Sequence, residues 1–195
     1  MTFAALLLTG GESRRMGRDK ATLVVDGEPL WERQIKLLRA LGLAEIFVSA
    51  RTPPAWLPVG VELLLDDRPS RGPLSGVAKA LATVRTTHLV VLAVDMPFMT
   101  AGELGALLAL ATKGCGVIPM IGDRADPLAA IYPVEASEDF RTALTGSNFS
   151  LQPLVNALAD AGKVKLCFVP KERAHFYQNL NTPGDFKCSD ATLSV

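Results

Sequence analysis

A chain of 195 residues fits one domain of ordinary size and is long enough to bury a substantial core. Hydrophobic residues make up 49% and charged residues 21%, which excludes a disordered chain, and 20 basic against 20 acidic side chains leave no net charge. Nothing global therefore argues for nucleic acid or an anionic membrane surface, and any anion site has to be local.

The apolar opening from Phe3 to Leu8 is too short for a membrane span. It runs into Gly-Gly and charges rather than a small-residue cleavage site, so the expectation is a cytoplasmic protein. Ala4–Leu8 reads as a first strand covered on both faces. Pro29 then opens a helix in which Leu30, Gln34, Leu37, Leu38 and Leu41 recur at helical spacing, ended by Gly42. Glu45–Ala50 is the next strand. Pro53, Pro54 and Pro58 make a surface turn, and Val61–Leu65 is a third strand.

Pro73 lies just inside a helix that carries Leu74, Val77, Leu81 and Val84 on one face. His88–Val94 is a long apolar strand ending in Asp95-Met96-Pro97. Thr100 caps a helix through Lys113, with Glu103 three residues on completing a capping box. The last third is less regular. It offers a strand over Pro127–Tyr132, helices over Glu135–Leu144 and Leu151–Ala161, a strand over Val164–Val169 and a short helix from Pro183 to Phe186. This order predicts an α/β fold: one three-layer α/β/α domain over residues 1–195, built on a mostly parallel, doubly wound, Rossmann-like sheet.

Cys115, Cys167 and Cys188 are odd in number, with no CxxC pair and no histidine at metal spacing, so reduced thiols are expected. The segment richest in chemistry is Leu8-Thr9-Gly10-Gly11-Glu12-Ser13-Arg14-Arg15-Met16-Gly17-Arg18-Asp19-Lys20. It leaves the C-terminal end of the first strand, the edge where open α/β sheets bind ligands. Gly10 and Gly11 let backbone N–H groups approach anionic oxygens, and the cations in one loop of a neutral protein suit a triphosphate. Neither a Walker loop nor a dinucleotide GxGxxG is present. The same composition also describes a solvated basic turn.

Asp95 follows a buried strand at the same sheet edge, where a hard carboxylate can hold Mg²⁺ against phosphate oxygens; alone it equally reads as a turn residue before proline. Gly72-Pro73-Leu74-Ser75-Gly76 starts a helix whose glycines allow close approach of a flat base, or are simple helix punctuation. Asp66 and Asp67 offer acceptors for a guanine amino edge or a ribose hydroxyl. Asn179-Leu180-Asn181-Thr182-Pro183 places two asparagines on one side of an extended stretch, or forms an Asx turn. His88 and His175 have no Ser or Cys partner and receive no catalytic role.

Together these segments resemble the molybdenum cofactor guanylyltransferases within the Rossmann-like nucleotidyltransferases. The first loop fits L-x-G-G-x-S-x-R-M-G-x-D-K. The match continues through Asp26-Gly27-Glu28-Pro29-Leu30, Gly72-Pro73-Leu74-Ser75-Gly76, Asp95-Met96-Pro97 and the Asn179–Pro183 stretch. The resemblance implies transfer of GMP from GTP to the terminal phosphate of molybdopterin, with Mg²⁺ and release of pyrophosphate. It implies that Leu8, Thr9 and Gly10 line the nucleotide site, with Gly11 shaping the loop. Arg15 and Lys20 would hold the triphosphate, Asp95 the metal, Gly72 and Gly76 the guanine, and Asn179 and Asn181 the metal or pterin side.

Two positions depart from the family. Ser49, expected at the nucleotide, stands where an asparagine is common after the second strand, so its shorter side chain loses that contact or makes it through water. The stretch from Asp67 to Gly72 is short, and of the two aspartates Asp67 is taken as the nucleotide contact. The Ala125–Leu128 region suits the pterin side. A molybdopterin cytidylyltransferase is the nearest alternative, but its loop reads Ala-Gly where Gly10-Gly11 makes room for a purine. Nucleotidyltransferases for sugar phosphates or isoprenoid precursors share the loop. A non-catalytic molybdopterin carrier is disfavoured by the presence of both Lys20 and Asp95. A labile product also calls for handover to molybdoenzyme-delivery proteins.

Overall fold

Strand β1 (Phe3–Leu8) lies in the middle of an eight-stranded sheet, paired in parallel with β4 (Glu45–Ala50) on one side and β6 (His88–Ala93) on the other. The computed structural model describes residues 1–10, 19–67 and 69–180. The expected helix over Pro183–Phe186 lies outside them. A strand with partners on both edges and helices on both faces has no solvent side, which is why β1 and β6 read as unbroken apolar runs.

On one flank β5 (Glu62–Leu65) adds in parallel to β4. On the other, β9 (Ala129–Pro133) runs antiparallel to β6, followed by β7 (Gly116–Ile121) and then β10 (Val164–Phe168), parallel to β7. The two-residue β8 (Arg124–Ala125) folds back on β7. A small hairpin of β2 (Val24–Val25) and β3 (Glu28–Pro29) stands apart from this sheet. Its turn residues, Asp26 and Gly27, both have positive φ (52° and 78°), the geometry a two-residue Asp-Gly hairpin adopts.

Alternate residues of β1 feed opposite cores. Ala5 and Leu7 pack with Ile35 and Leu38 of α1 (Leu30–Ala40) and Leu104 and Leu107 of α3 (Ala101–Leu110). Ala4, Leu6 and Leu8 pack with Leu74, Val77 and Leu81 of α2 (Pro73–Thr83). Phe140 of α4 (Ser137–Ala143) and Val155 and Leu158 of α5 (Leu151–Asp160) complete that second core. The result is the three-layer α/β/α sandwich, with two helices on one face and three on the other. Each fully buried leucine is worth about 1.5–3 kcal/mol, so the two stripes carry most of the stabilisation.

Strand β7 has no counterpart in the sequence reading. It contains Gly116 and Pro119, both poor strand formers. Gly116 is there because β9 comes too close for a side chain: a Cβ would stand 2.0 Å from the Ile131 carbonyl oxygen. The helix expected to reach Lys113 stops at Leu110, because Ala111 is extended and the chain turns through a bridge between Thr112 and Cys115. Thr100 does cap α3, its Oγ1 accepting from the Glu103 N–H at 3.2 Å. The Glu103 carboxylate is engaged elsewhere: Arg173 grips it with Nε and NH2, both at 2.8 Å.

Candidate active site

Parallel strands deliver their C-terminal ends to one edge, and here β1, β4 and β6 deliver Thr9-Gly10, Ser49-Ala50 and Val94-Asp95. The Val94 N–H donates to the Leu8 carbonyl at 3.0 Å. Thr9 is locked to β4, since its N–H (3.1 Å) and its hydroxyl (2.8 Å) both donate to the Ser49 carbonyl. Leu8 is a core residue, so its part in the site is to floor it.

The Ser49 hydroxyl donates to Asp66 Oδ1 at 2.8 Å, and the Ser70 hydroxyl to Asp66 Oδ2 at the same distance. Oδ2 lies 3.8 Å from where a Cβ on Gly10 would stand. Asp66 therefore faces the glycine loop with both oxygens oriented. Asp67, the expected nucleotide contact, turns the other way: it pairs with Lys79 Nζ at 2.8 Å and its side chain is 86% exposed. Successive side chains of an extended chain point to opposite sides. Because β5 hands over to an extended segment, the carboxylate that shares the pocket with Gly10 and Ser49 is Asp66.

The chain then turns through Gly72, whose φ of 66° and ψ of −145° call for glycine. Gly76, one turn into α2, is a packing residue: a Cβ there would lie 2.5 Å from Ser49 Oγ and 2.8 Å from Leu8 Cδ2. The helix is thus pressed onto the ends of β1 and β4. Gly76 shapes the floor, and Ser49 is small where it has to fit beneath it.

Lys20 and Asp95 are 75 positions apart in sequence and form an ion pair at 2.9 Å, with about a fifth of each side chain exposed. Lys20 sits on a 3₁₀ turn, Lys20–Thr22, capped by Asp19: its Oδ1 accepts from the Ala21 N–H (3.0 Å) and its Oδ2 from Trp56 Nε1 (3.3 Å). Lys20 Nζ also donates to the Leu180 carbonyl at 3.1 Å, and the Leu180 N–H donates to the Asp95 carbonyl at 2.8 Å. Asn179 and Leu180 are thereby stitched alongside Asp95. The Asn179 Oδ1 is buried there without a hydrogen-bond partner. Gly11, Arg15 and Asn181 lie outside the described residues, as do Arg14 and Arg18.

Beyond Asp95 lies a cavity of about 670 Å³ lined by β8, the Asp126–Leu128 turn, the start of α5 and residues 174 and 177–179. Burial pushes the Asp126 carboxyl up to about 6, and the negative charge of Asp95 adds to the rise. The Leu128 N–H, 3.0 Å from Oδ1, and the Arg124 charge oppose it. Ser70, Phe149 and Gln152 were invisible to sequence reasoning because they lie in loop or helix-start positions with no motif of their own. His88 is a satisfied core residue, its ring nitrogens bonded to Thr87 Oγ1 and the Thr112 carbonyl at 2.9 and 3.0 Å.

Among the described residues no three His, Cys, Asp or Glu side chains gather as a metal site. A cation at this edge would take few protein oxygens and complete its shell with phosphate and water, which is the habit of Mg²⁺. Asp95 supplies a carboxylate, and the orphaned Asn179 Oδ1 is a second hard oxygen that lacks a partner; both fit.

A family model described as a MobA-like NTP transferase domain matches residues 5–162. A probable molybdenum cofactor guanylyltransferase of Opitutus terrae is 38% identical over 93% of this chain and 92% of its own length. The molybdenum cofactor guanylyltransferase of Cereibacter sphaeroides is 34% identical over 99% and 98%. Among solved structures, the molybdopterin-guanine dinucleotide biosynthesis protein A of Archaeoglobus fulgidus superposes with a TM-score of 0.72 at 21% identity, covering 95% of each chain. The 2-C-methyl-D-erythritol 4-phosphate cytidylyltransferase of Thermus thermophilus does so with 0.65 at 19%, over 94% of this chain and 95% of that one. The fold is that of the nucleotidyltransferases. Within that class, the chain belongs to the MobA-like NTP transferase family.

Proposed function

We propose that this chain is a molybdenum cofactor guanylyltransferase that uses GTP and Mg²⁺. An oxygen of the terminal phosphate of molybdopterin attacks the α-phosphorus of GTP. The bond from that phosphorus to the bridging oxygen breaks, and pyrophosphate leaves with the electron pair. Such in-line transfer needs positioning and charge neutralisation more than a nucleophilic side chain.

The observation that carries this reading is the Lys20–Asp95 pair, held at the sheet edge between the Gly10–Ser49–Asp66 group and the cavity beyond. Asp66 presents acceptor lone pairs that suit the N–H donors of a guanine edge or a ribose. Lys20 neutralises charge that builds on the departing pyrophosphate. Asp95, with Asn179 Oδ1, would hold Mg²⁺, which when bound screens the phosphate oxygens and polarises the α-phosphate. Arg15 and Gly11 join the triphosphate side and Asn181 the metal or pterin side by their place in the family's motifs.

GTP and the molybdopterin cofactor are the substrates on this reading, and handover of the labile product to delivery proteins follows from its chemistry. No described helix is long and apolar enough to cross a membrane, which accords with work in the cytoplasm.

The test is pyrophosphate release from purified protein with Mg²⁺, molybdopterin cofactor and GTP, CTP, ATP or UTP in turn. Release is expected with GTP alone, and Asp95→Ala should lower it at least a hundredfold, on the order of the loss when a key electrostatic group is removed. Preference for CTP would overturn the base assignment and keep the reaction. GTP binding without turnover would point to a carrier.

A further inference from the structure

The geometry points to Asp126 as a substrate-binding residue that reads the amino-lactam edge of the pterin in the 670 Å³ cavity. This rests on the guanylyltransferase reading and deepens it: the Ala125–Leu128 region is expected on the pterin side, and no motif of the chain assigns Asp126 its contact.

The cavity has the build of a small-molecule site: mostly apolar walls, including Phe149, Leu128 and Ile121, with a few polar groups among them. Its size falls within the roughly 300–1,000 Å³ usual for such sites. Phe149 is backed by Arg71, whose guanidinium carbon lies 4.1 Å from the ring centroid, so the ring is fixed as one wall. Gln152 is held with its Nε2 donating to the Ala125 carbonyl at 2.7 Å.

Among the described residues that line it, Asp126 is the one carboxylate. It is pinned from both sides along its own backbone. Its N–H donates to the Pro119 carbonyl at 2.8 Å, and its Oδ1 accepts from the Leu128 N–H at 3.0 Å. Among the described residues it has no ion-pair partner. The Ala129 N–H also faces the carboxylate. Each carboxylate oxygen has two acceptor sites, so two backbone N–H groups still leave acceptor capacity for a ligand. Asp126 also lies near enough to a second carboxylate, Asp95, to feel its negative charge.

A 2-amino-4-oxo pyrimidine ring offers two adjacent donors, the exocyclic amine and the ring N–H, spaced for a carboxylate to accept both in a fork. Guanine and pterin share that edge. The cavity favours the pterin, because Gly10, Ser49, Asp66, Ser70 and Gly72 are absent from its lining, and of the Gly72–Gly76 turn only Pro73 reaches it. Asn179 lines it and leads directly into Leu180, which is bonded to Asp95. A pterin held at Asp126 has a continuous wall leading toward the reacting edge.

The test uses the intact protein and its Asp126→Asn variant, with pterin and lumazine as competitive inhibitors against the molybdopterin cofactor. Lumazine carries an oxo group in place of the amine. A carboxylate prefers the two donors of pterin; a carboxamide matches the donor–acceptor edge of lumazine. Wild type should be inhibited at least tenfold more strongly by pterin, and Asp126→Asn should lose or invert that preference, raising KM for the cofactor while KM for GTP moves less than twofold. An unchanged preference overturns the assignment, as does a failure of pterin to inhibit. A shift confined to KM for GTP would place Asp126 at guanine, and a shift confined to the Mg²⁺ requirement would place it on the cation; either overturns it. Wild-type turnover with GTP and cofactor, measured alongside, tests the guanylyltransferase reading separately.

Discussion

Single side chains in this pocket act in pairs drawn from distant parts of the chain. Lys20 is oriented by Asp95 and the Leu180 carbonyl, and Asp66 by two serine hydroxyls. Asp126 differs in that backbone N–H groups rather than side chains bond it while burial and the like charge of Asp95 press on it, which gives it a measurable signature in the metal-free protein. Its carboxyl titrates near 6 when folded, against an ordinary 3.8. Between those values the folded state holds a proton that the unfolded state has released, so stability is greatest below about pH 4 on this account and declines as pH rises through 6. The rise corresponds to at most about 3 kcal/mol, since one pKa unit is about 1.4 kcal/mol. Asp126→Asn, a neutral near-isostere, should therefore raise Tm at pH 8 by several degrees and leave it unchanged at pH 4. Thermal melts across that range check it; equal shifts at both ends would remove the carboxylate charge as the cause.

At the scale of elements, α2 and the loop before it shape the side of the site that holds Asp66 and Ser49. Proline at N1 starts the helix, as read from Gly-Pro-Leu-Ser-Gly, and Gly72 supplies a positive-φ entry that the structure adds. The role of Gly76 was not readable, because what a glycine avoids is on another element. Adding one methyl there would press on Ser49 and Leu8, an overpacking that typically costs about 1–3 kcal/mol. Gly76→Ala should lower Tm and, by displacing Ser49 and with it Asp66, raise KM for GTP more than KM for the cofactor. Chemical denaturation and steady-state kinetics read the two effects. Strand β7 makes the same point in reverse: glycine and proline argue against a strand until β9 is seen to lie against it.

The whole molecule closes the pocket with its C-terminal part. The chain leaves β10, turns through a 3₁₀ stretch at Lys171–Tyr177 and passes Asp95 at Leu180. That stretch is pinned to α3 by Arg173 on the Glu103 carboxylate, with the Tyr177 hydroxyl donating to the same group at 3.3 Å. Burial, reinforced by the Glu103 charge, pushes the Tyr177 phenol above its usual range, so it stays protonated and able to donate. Arg173→Met leaves Glu103 without its cation and loosens the wall that Tyr177 and Asn179 give the cavity. KM for the cofactor should rise several-fold with kcat for GTP turnover falling less, the split expected when uniform binding is lost. Equal loss in both would tie the stretch to the transition state.

The sequence by itself determined the alternation of strands and helices, the cap at Thr100, the helix start at Pro73, and the sheet edge to which Asp95 and the first loop both belong. These are legible because they rest on local periodicity, on backbone demands of single residues, or on motifs whose order along the chain is kept. Only the tertiary structure decided that Asp66 rather than Asp67 shares the pocket with Gly10, that Gly116 and Gly76 are spaces for neighbouring elements, and that Asp126 lies close enough to Asp95 to feel its charge. Each depends on which side of an extended segment faces a partner dozens of residues away. That facing is set by the packing of the sheet against its two helical layers, and no local pattern records it.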